Sequence, residues 1–139
     1  VRSLAAPGDA TSDDLSTLLD LADSQISYRQ RYISGLSRVA TLDLVALDPG
    51  NPRGIAYQIH RIARHLSALP ILSDDGFAEP QQAAATALAA IVDTESADTL
   101  TPQRLDDLET RLSTLSNAIA RRYFLYGTEP LRSGSLTLA

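Results

Sequence analysis

Apolar residues recur at every third or fourth position along most of this chain, which is the spacing of helices that bury one face. The first stripe covers positions 15–36 and predicts a helix over residues 12–34. Thr11 or Ser12 is suited to cap it, because acidic residues follow in the first turn, where negative charge favours the helix dipole. The pattern thus predicts a long amphipathic helix near the N-terminus.

A second helix start is predicted at Asn51 and Pro52, with Asn51 as the N-cap and proline at the first helical position. The apolar stripe that follows ends at Pro70. Before it, residues 39–47 form a short apolar run whose periodicity does not separate a buried strand from a buried helix. We predict a helix there, because the neighbouring segments are helical and the sequence shows no partner strand.

The C-terminal half continues the helical pattern. Residues 81–92 are rich in alanine and predict a helix that packs closely on a neighbour. Thr101 and Pro102 form another cap-and-proline start, and the stripe that follows extends to Tyr126, with Gly127 as the predicted C-cap. Together these segments predict an all-α fold, an up-and-down bundle of four to five antiparallel helices with no sheet.

Composition agrees with one helical domain. We expect residues 12–126 to form the bundle, residues 1–11 a flexible lead-in and residues 127–139 a flexible tail. Hydrophobic residues make up 44% of the 139-residue chain and aromatic residues only 5%, so leucine and alanine must fill the core. There is no cysteine and no apolar run of about 18 residues, so we predict neither disulfides nor a membrane span and expect a cytoplasmic protein.

The charge is acidic overall but unevenly spread. The net charge is −5, yet residues 24–65 carry six Arg and two Asp, a local +4, whereas residues 66–109 carry nine acids and one Arg, a local −8. The acidic total argues against general nucleic-acid binding. All 12 basic residues are arginine. A GC-rich genome explains this most simply, and a preference for forked donors to carboxylates or phosphates is the alternative.

Arg29 lies at a position that the first stripe assigns to the buried side of the predicted helix. An unpaired guanidinium there would cost several kcal/mol, so it must find a carboxylate, a carbonyl or an anionic ligand. We expect an internal ion pair with Asp43 or Asp20. Contact with a ligand or a partner protein is the alternative, and exposure would follow from a different helix phase.

Two tyrosines and a second arginine surround Arg29. Tyr28 and Tyr32 are one helical turn apart, with Arg31 beside them. Tyrosines at this spacing usually form a ridge over a core, and a stacking platform for a ligand is the alternative.

The helix after Asn51 carries a basic face. His60 and Arg64 share the side opposite Ile59 and Ile62, and we expect a solvated surface there. His60 and His65 lie about 140° apart around the helix, which is poor for shared metal ligation, so we predict no metal site.

Arg122 falls on the stripe of the last predicted helix, as Arg29 falls on that of the first. Capping of the C-terminal carbonyls explains it most simply. The alternative is an anion site in which Arg29 and Arg122 face one polar cavity, with Tyr28, Tyr32 and Tyr123 around it. In that site we expect Asp43 or Asp48 to be the internal acid that pairs with the arginines. We predict no catalytic residue and no cofactor. The candidates for binding an anion or a partner are Tyr28, Arg29, Arg31, Tyr32, Arg53, His60, Arg64, Arg122 and Tyr123.

Three segments carry a family resemblance: Leu-Ala-Asp-Ser-Gln-Ile-Ser-Tyr-Arg-Gln-Arg-Tyr at 21–32, Leu-Asp-Leu-Val-Ala-Leu-Asp-Pro-Gly-Asn-Pro-Arg at 42–53, and Leu-Ser-Asn-Ala-Ile-Ala-Arg-Arg-Tyr-Phe at 115–124. Their order and content resemble the bacterial alpha-E family over about residues 12–126. The family is named for a glutamate-arginine motif near the start of the domain, which this chain lacks, so we expect the chain to be a C-terminal part of the domain.

The resemblance implies a wholly helical domain whose genes lie beside, or are fused to, circularly permuted ATP-grasp ligases and transglutaminase-like proteases. It implies an ATP-grasp ligase-type partner in a carboxylate–amine ligation system and supplies no established catalytic residues. We therefore expect a non-catalytic module that binds or positions a partner enzyme or its peptide substrate. A ligand-binding or catalytic subunit with an Arg/Tyr pocket for an anionic or carboxylate substrate is the alternative.

We also expect this chain to expose an apolar patch, because the first helices of the family's domain are missing from it. Large exposed patches usually mark interfaces. The chain is then expected to self-associate through the predicted helix at 12–34 or the one at 101–126.

Overall fold

The computed structural model describes residues 1, 10–69 and 78–124, and every regular element in this part of the chain is a helix. The all-α prediction is therefore confirmed. The predicted helix end at Pro70, the C-cap at Gly127, the tail and most of the lead-in lie outside the described residues. In chain order the elements are α1 (Ser12–Leu21), α2 (Gln25–Arg31), α3 (Arg38–Leu42), a π-helix (Asp43–Leu47), α4 (Ile55–Ser67), α5 (Ala78–Thr94) and α6 (Pro102–Tyr123).

The single helix predicted over residues 12–34 is wrong, because the chain forms two helices there. Its predicted start is confirmed. Thr11 caps α1: its hydroxyl oxygen accepts a hydrogen bond from the Asp14 amide at 3.2 Å, and the Asp14 carboxylate accepts one from the Thr11 amide at 3.0 Å. α1 ends at Leu21, and Asp23 follows with a φ of 47°, a left-handed conformation that interrupts the helix.

This break changes which side chains of α2 face the core. Tyr28 is only 3% exposed, whereas Ile33, which the stripe places inside, is fully exposed. Arg29 is exposed as well. The expected burial of Arg29, with Asp43 or Asp20 as its partner, is therefore wrong. A helical stripe keeps its phase only while the helix is continuous, and the turn at Asp23 ends that continuity.

Residues 39–47 are helical, which confirms the choice of helix over strand. α3 continues directly into the π-helix, whose last hydrogen bond joins the Asp48 amide to the Asp43 carbonyl at 2.8 Å. In an α-helix, residues five apart point about 140° away from each other. The wider turn of the π-helix reduces that angle, so the carboxylates of Asp43 and Asp48 can approach the same cation.

The helix start predicted at Asn51 and Pro52 is also wrong, because α4 begins later, at Ile55, with Gly54 as its N-cap. Asn51 is buried, and its carbonyl accepts a hydrogen bond from the Gly54 amide at 2.8 Å. A Cβ on Gly54 would lie 3.1 Å from that carbonyl oxygen and 3.3 Å from the carbonyl oxygen of Asp48. The close approach of these backbone segments favours glycine at this turn.

The two C-terminal helices follow the sequence prediction closely. The alanine-rich segment forms α5, and the start of α6 is confirmed: the Thr101 side chain accepts a hydrogen bond from the Arg104 amide at 3.3 Å, with Pro102 as the first helical residue. α5 packs on α4 and on α6. Among the described residues, no helix has the length and hydrophobicity needed to cross a membrane.

The buried apolar residues form two clusters that meet near the π-helix. The larger cluster is built mainly from α4, α5 and α6, and the smaller one from α1 and α2. Leu42 and Ala46 belong to the larger cluster, whereas Leu44 and Val45 belong to the smaller. The segment at 42–46 therefore contributes side chains to both, and it holds the two halves of the domain together.

Candidate functional site

Arg31, at the end of α2, lies between two carboxylates of the π-helical segment. Its guanidinium donates a hydrogen bond to Asp48 Oδ2, and Asp43 Oδ2 lies 3.8 Å from Arg31 Nη2. The Tyr32 hydroxyl donates to Asp43 Oδ2 at 2.6 Å. The arginine that pairs with Asp43 is therefore Arg31, and not Arg29 as the sequence pattern predicts.

A second group of contacts lies at the break between α1 and α2. Asn51 Nδ2 donates hydrogen bonds to Ser24 Oγ at 3.1 Å and to the Leu44 carbonyl at 2.9 Å, and both Asn51 and Ser24 are buried. On the surface beside them, Arg53 Nη2 lies 2.9 Å from Asp23 Oδ2. These contacts and those of Arg31 join the first two family-like segments. We call them the polar network, made up of Asp23, Ser24, Arg31, Tyr32, Asp43, Asp48, Asn51 and Arg53.

Tyr28 and Tyr32 form a ridge over the smaller core cluster. Their ring centroids are 4.9 Å apart, and Tyr28 is buried. The Tyr28 hydroxyl accepts a hydrogen bond from the Ser37 amide at 3.0 Å and donates to the Gly35 carbonyl at 3.3 Å. Partial burial, followed by the hydrogen bond to Asp43, raises the pKa of Tyr32 to about 12. The Tyr28 hydroxyl thus holds the loop between α2 and α3, and the Tyr32 hydroxyl holds the π-helix.

A cavity of about 460 Å³ opens beside the tyrosine pair, and Arg29 lines it. No carboxylate in residues 10–69 or 78–124 forms an ion pair with Arg29. Ile33 and Leu36 add exposed apolar surface to the same cavity. We call this cavity the Arg29 pocket, lined by Tyr28, Arg29, Tyr32, Ile33 and Leu36.

The basic side of α4 lines a second cavity, of about 750 Å³. His60 Nε2 lies 2.9 Å from Asp93 Oδ1 on α5, and the Arg61 guanidinium carbon lies 5.9 Å from the centre of the Tyr57 ring. In the described part of the chain, neither Arg61 nor Arg64 pairs with a carboxylate. We call this surface the α4 basic groove, lined by Tyr57, His60, Arg61, Arg64 and His65.

The anion site predicted to include both Arg29 and Arg122 stays a prediction. Arg122 lies in the last turn of α6, and its side chain is outside the described part of the structure. Tyr123, in the same turn, is half-buried. Of the described residues that line the Arg29 pocket, none comes from α6, which packs on α5.

Five members of the polar network are not among the binding candidates predicted from the sequence: Asp23, Ser24, Asp43, Asp48 and Asn51. Of these, the two acids of the π-helical segment were predicted only as partners of a buried arginine. Asn51 precedes a proline, a pattern typical of a helix start, so the sequence predicts an N-cap and not a buried residue that forms hydrogen bonds. Ser24 and Asp23 lie inside a stripe that predicts a continuous helix, and no glycine or proline marks the break there. Among the described residues, no group of three His, Asp or Glu is placed to hold a metal ion.

These features define a small helical domain in which a broken N-terminal helix is fastened to a π-helix by a polar network. The model of the family Alpha-E, described as a predicted alpha-helical domain with a conserved ER motif, matches residues 1–124. The chain belongs to this family. No adjacent Glu–Arg pair occurs in its 139 residues. No curated protein and no solved structure shows a significant match to it.

Proposed function

We propose that this domain is a helical binding module, without a reaction of its own, that positions a partner in an ATP-grasp carboxylate–amine ligation system. The link to an ATP-grasp ligase and to peptide substrates comes from the alpha-E resemblance. The proposal includes a cytoplasmic location in a bacterial cell, where a ligase of this kind finds its ATP.

The observation that carries the proposal is that hydrogen bonds and ion pairs join side chains of the first two family-like segments, residues 21–32 and 42–53. Asp48 and Asp43 hold Arg31, and Asp43 also holds Tyr32. An acid–base catalyst works best when its pKa lies near the operating pH. The pKa of Tyr32, raised to about 12, lies far above neutral pH, so this phenol is poorly suited to proton transfer there. The network therefore supports the shape of a binding surface better than it supports a reaction.

The Arg29 pocket is the part of this surface that offers an available charge. A guanidinium binds a carboxylate through two parallel hydrogen bonds, and Arg29 has no such partner among the described residues. Ile33 and Leu36 offer apolar contacts beside it. A peptide that ends in an apolar residue combines a carboxylate with an apolar side chain, which matches both features of the pocket.

The test is an NMR titration of backbone amides with acetyl-alanyl-leucine and with its C-terminal amide. We expect the acid to shift resonances around Arg29 and Ile33 and to bind about tenfold more tightly than the amide, the equivalent of about 1.4 kcal/mol. Arg29→Ser should abolish this preference, whereas Arg121→Ser, a matched exposed arginine on α6, should keep it. Equal binding of acid and amide would contradict the proposal.

The assignment to a ligation system needs its own measurement. Biolayer interferometry with a purified circularly permuted ATP-grasp ligase from the same organism should show saturable binding to the 139-residue chain. An absence of binding, with the peptide titration positive, would leave a peptide-binding module and reject the ligase as its partner.

A second candidate function is a ligand-binding or catalytic subunit that uses the same pocket for a small carboxylate substrate. The volume of about 460 Å³ favours it, because small-molecule sites span about 300–1,000 Å³. Succinate and free glutamate distinguish the two functions in the same titration. Tighter binding of either than of acetyl-alanyl-leucine would favour the small-substrate subunit.

A further inference from the structure

The α4 basic groove is a second surface, separate from the Arg29 pocket, and its chemistry differs from that pocket's. We propose that it docks an acidic segment of a partner protein, one in which carboxylates recur along one side. The proposal goes beyond the function assigned to the Arg29 pocket, since no described residue lines both cavities.

The packing of α4 against the core determines which side of this helix faces outward. Ala56, Ile59 and Leu66 are 1%, 2% and 7% exposed, so one side of the helix is held in the core. The opposite side carries residues at intervals of three and four, from Tyr57 to Ala68, all of which line the groove. At 1.5 Å per residue this row is about 16 Å long. It presents its charges in a fixed order along a helix that cannot rotate.

The charges in the row are available to a partner. Arg61 and Arg64 have no carboxylate partner in the described residues, and Asp93 reaches only His60. Arg61 lies over the face of the Tyr57 ring, which restricts its guanidinium before any ligand arrives. A side chain that is already positioned loses less entropy on binding, so this arrangement favours association with a carboxylate.

The lining of the groove also includes two small apolar residues. One is Pro49, which lies outside α4, and the other is Ala68, directly after the last residue of α4. A segment with carboxylates at helical spacing and small apolar residues between them can place both kinds of group in register with the row. A nucleic-acid backbone fits less well, because it places no small apolar side chain against Pro49 and Ala68.

The test uses fluorescence anisotropy with a fluorescein-labelled peptide of about 14 residues, in which Glu recurs at helical spacing among Ala and Leu. The same peptide with Gln in place of every Glu is the matched probe. We expect saturable binding of the Glu peptide at low salt, about tenfold or more weaker binding of the Gln peptide, and loss of affinity near 1 M salt, where screening is strong. Equal affinity for the two peptides overturns the proposal.

The variants locate the binding. The double substitution Arg61→Ser with Arg64→Ser should weaken binding of the Glu peptide about tenfold or more. The control, Arg111→Ser with Arg121→Ser on α6, removes the same formal charge and should stay within about twofold of the unsubstituted chain, because its charges lie off the groove. If circular dichroism shows that the first double variant is unfolded, Arg64→Gln alone takes its place. Equal losses in both double variants overturn the assignment to α4.

Two further arms separate this proposal from its alternatives. Arg29→Ser should bind the Glu peptide like the unsubstituted chain, so a failure of the Arg29 pocket leaves this result unaffected. A single-stranded oligonucleotide with the same net charge as the Glu peptide should bind more weakly. Tighter binding of the oligonucleotide, lost in the Arg61 and Arg64 variant, would overturn the assignment to an acidic protein segment.

Discussion

Asn51 connects more separate parts of the chain than its position in a turn suggests. Its amide nitrogen donates to Ser24 Oγ and to the Leu44 carbonyl, and its Oδ1 accepts from the Arg53 amide at 3.2 Å. Ser24, Thr41 and Asn51 are the buried polar residues of the described core. Leaving a buried polar group without its hydrogen-bond partner costs free energy of folding. The side-chain amide of Asn51 therefore stabilises the contact between the turn after α1 and the π-helix.

We expect Asn51→Ala to lower the free energy of unfolding by about 1–3 kcal/mol, because it leaves the Ser24 hydroxyl and the Leu44 carbonyl without their shared donor. Urea denaturation followed by far-UV circular dichroism measures this change. Asn117→Ala, on the exposed side of α6, is the matched control and should change stability by less than about 0.5 kcal/mol. Equal effects of the two substitutions would show that the buried amide contributes nothing specific.

Tyr32 gives the domain an alkaline pH dependence. Its pKa is raised to about 12 in the folded state from 10.0, so its contribution to stability is fully present below pH 10 and is lost as the pH rises through about 12. Urea midpoints measured from neutral pH to above pH 10 should fall less in Tyr32→Phe than in the unsubstituted chain. Tyr57→Phe leaves the bond from Tyr32 to Asp43 intact and should follow the unsubstituted chain. Parallel profiles for all three would contradict this account.

At the scale of elements, the sequence predicts where helices lie better than where they break. The start of α6 was predictable because a threonine cap and a proline act locally, within one turn. The same signal at Asn51 and Pro52 failed, because the Asn51 side chain bonds to residues distant in sequence instead of capping a helix. The break after α1 was not, because Asp23 adopts its left-handed conformation in a segment without glycine or proline. The same limit applies to the site: its residue types were predictable, but the partner of Asp43 depends on helix phase, which the break resets.

Arg29 and Arg31 test this correction directly. Arg29→Ala should change the free energy of unfolding by less than about 0.5 kcal/mol, because Arg29 is exposed and forms no ion pair with a described residue. Arg31→Ala should destabilise by about 1–2 kcal/mol, since it leaves Asp48, whose side chain is only 14% exposed, without its cation. Urea denaturation of both variants, side by side, gives the comparison. If Arg29→Ala destabilised the domain more than Arg31→Ala, the result would contradict this correction and support the single helix first predicted over residues 12–34.

At the scale of the whole molecule, the two core clusters give the domain unequal halves. The larger cluster is enclosed by α4, α5 and α6, whereas the smaller one is covered mainly by two short helices. Around those short helices several apolar side chains face outward, including Leu21, which is 81% exposed, and Ile26, which is 73% exposed. We therefore place the expected apolar patch at these exposed side chains of α1 and α2.

We predict that this patch causes the chain to self-associate, because burying exposed aliphatic side chains gains about 25 cal/mol per Å². Sedimentation velocity over a range of concentrations should show a species larger than the 14.9 kDa monomer. Ile26→Ser with Ile33→Ser should shift it to the monomer, whereas Phe124→Ser, which removes a residue 78% exposed at the end of α6, should not. A shift caused by Phe124→Ser alone would move the interface to the other helix predicted from the sequence. A monomer at every concentration would show that the exposed side chains are not an interface between copies of this chain.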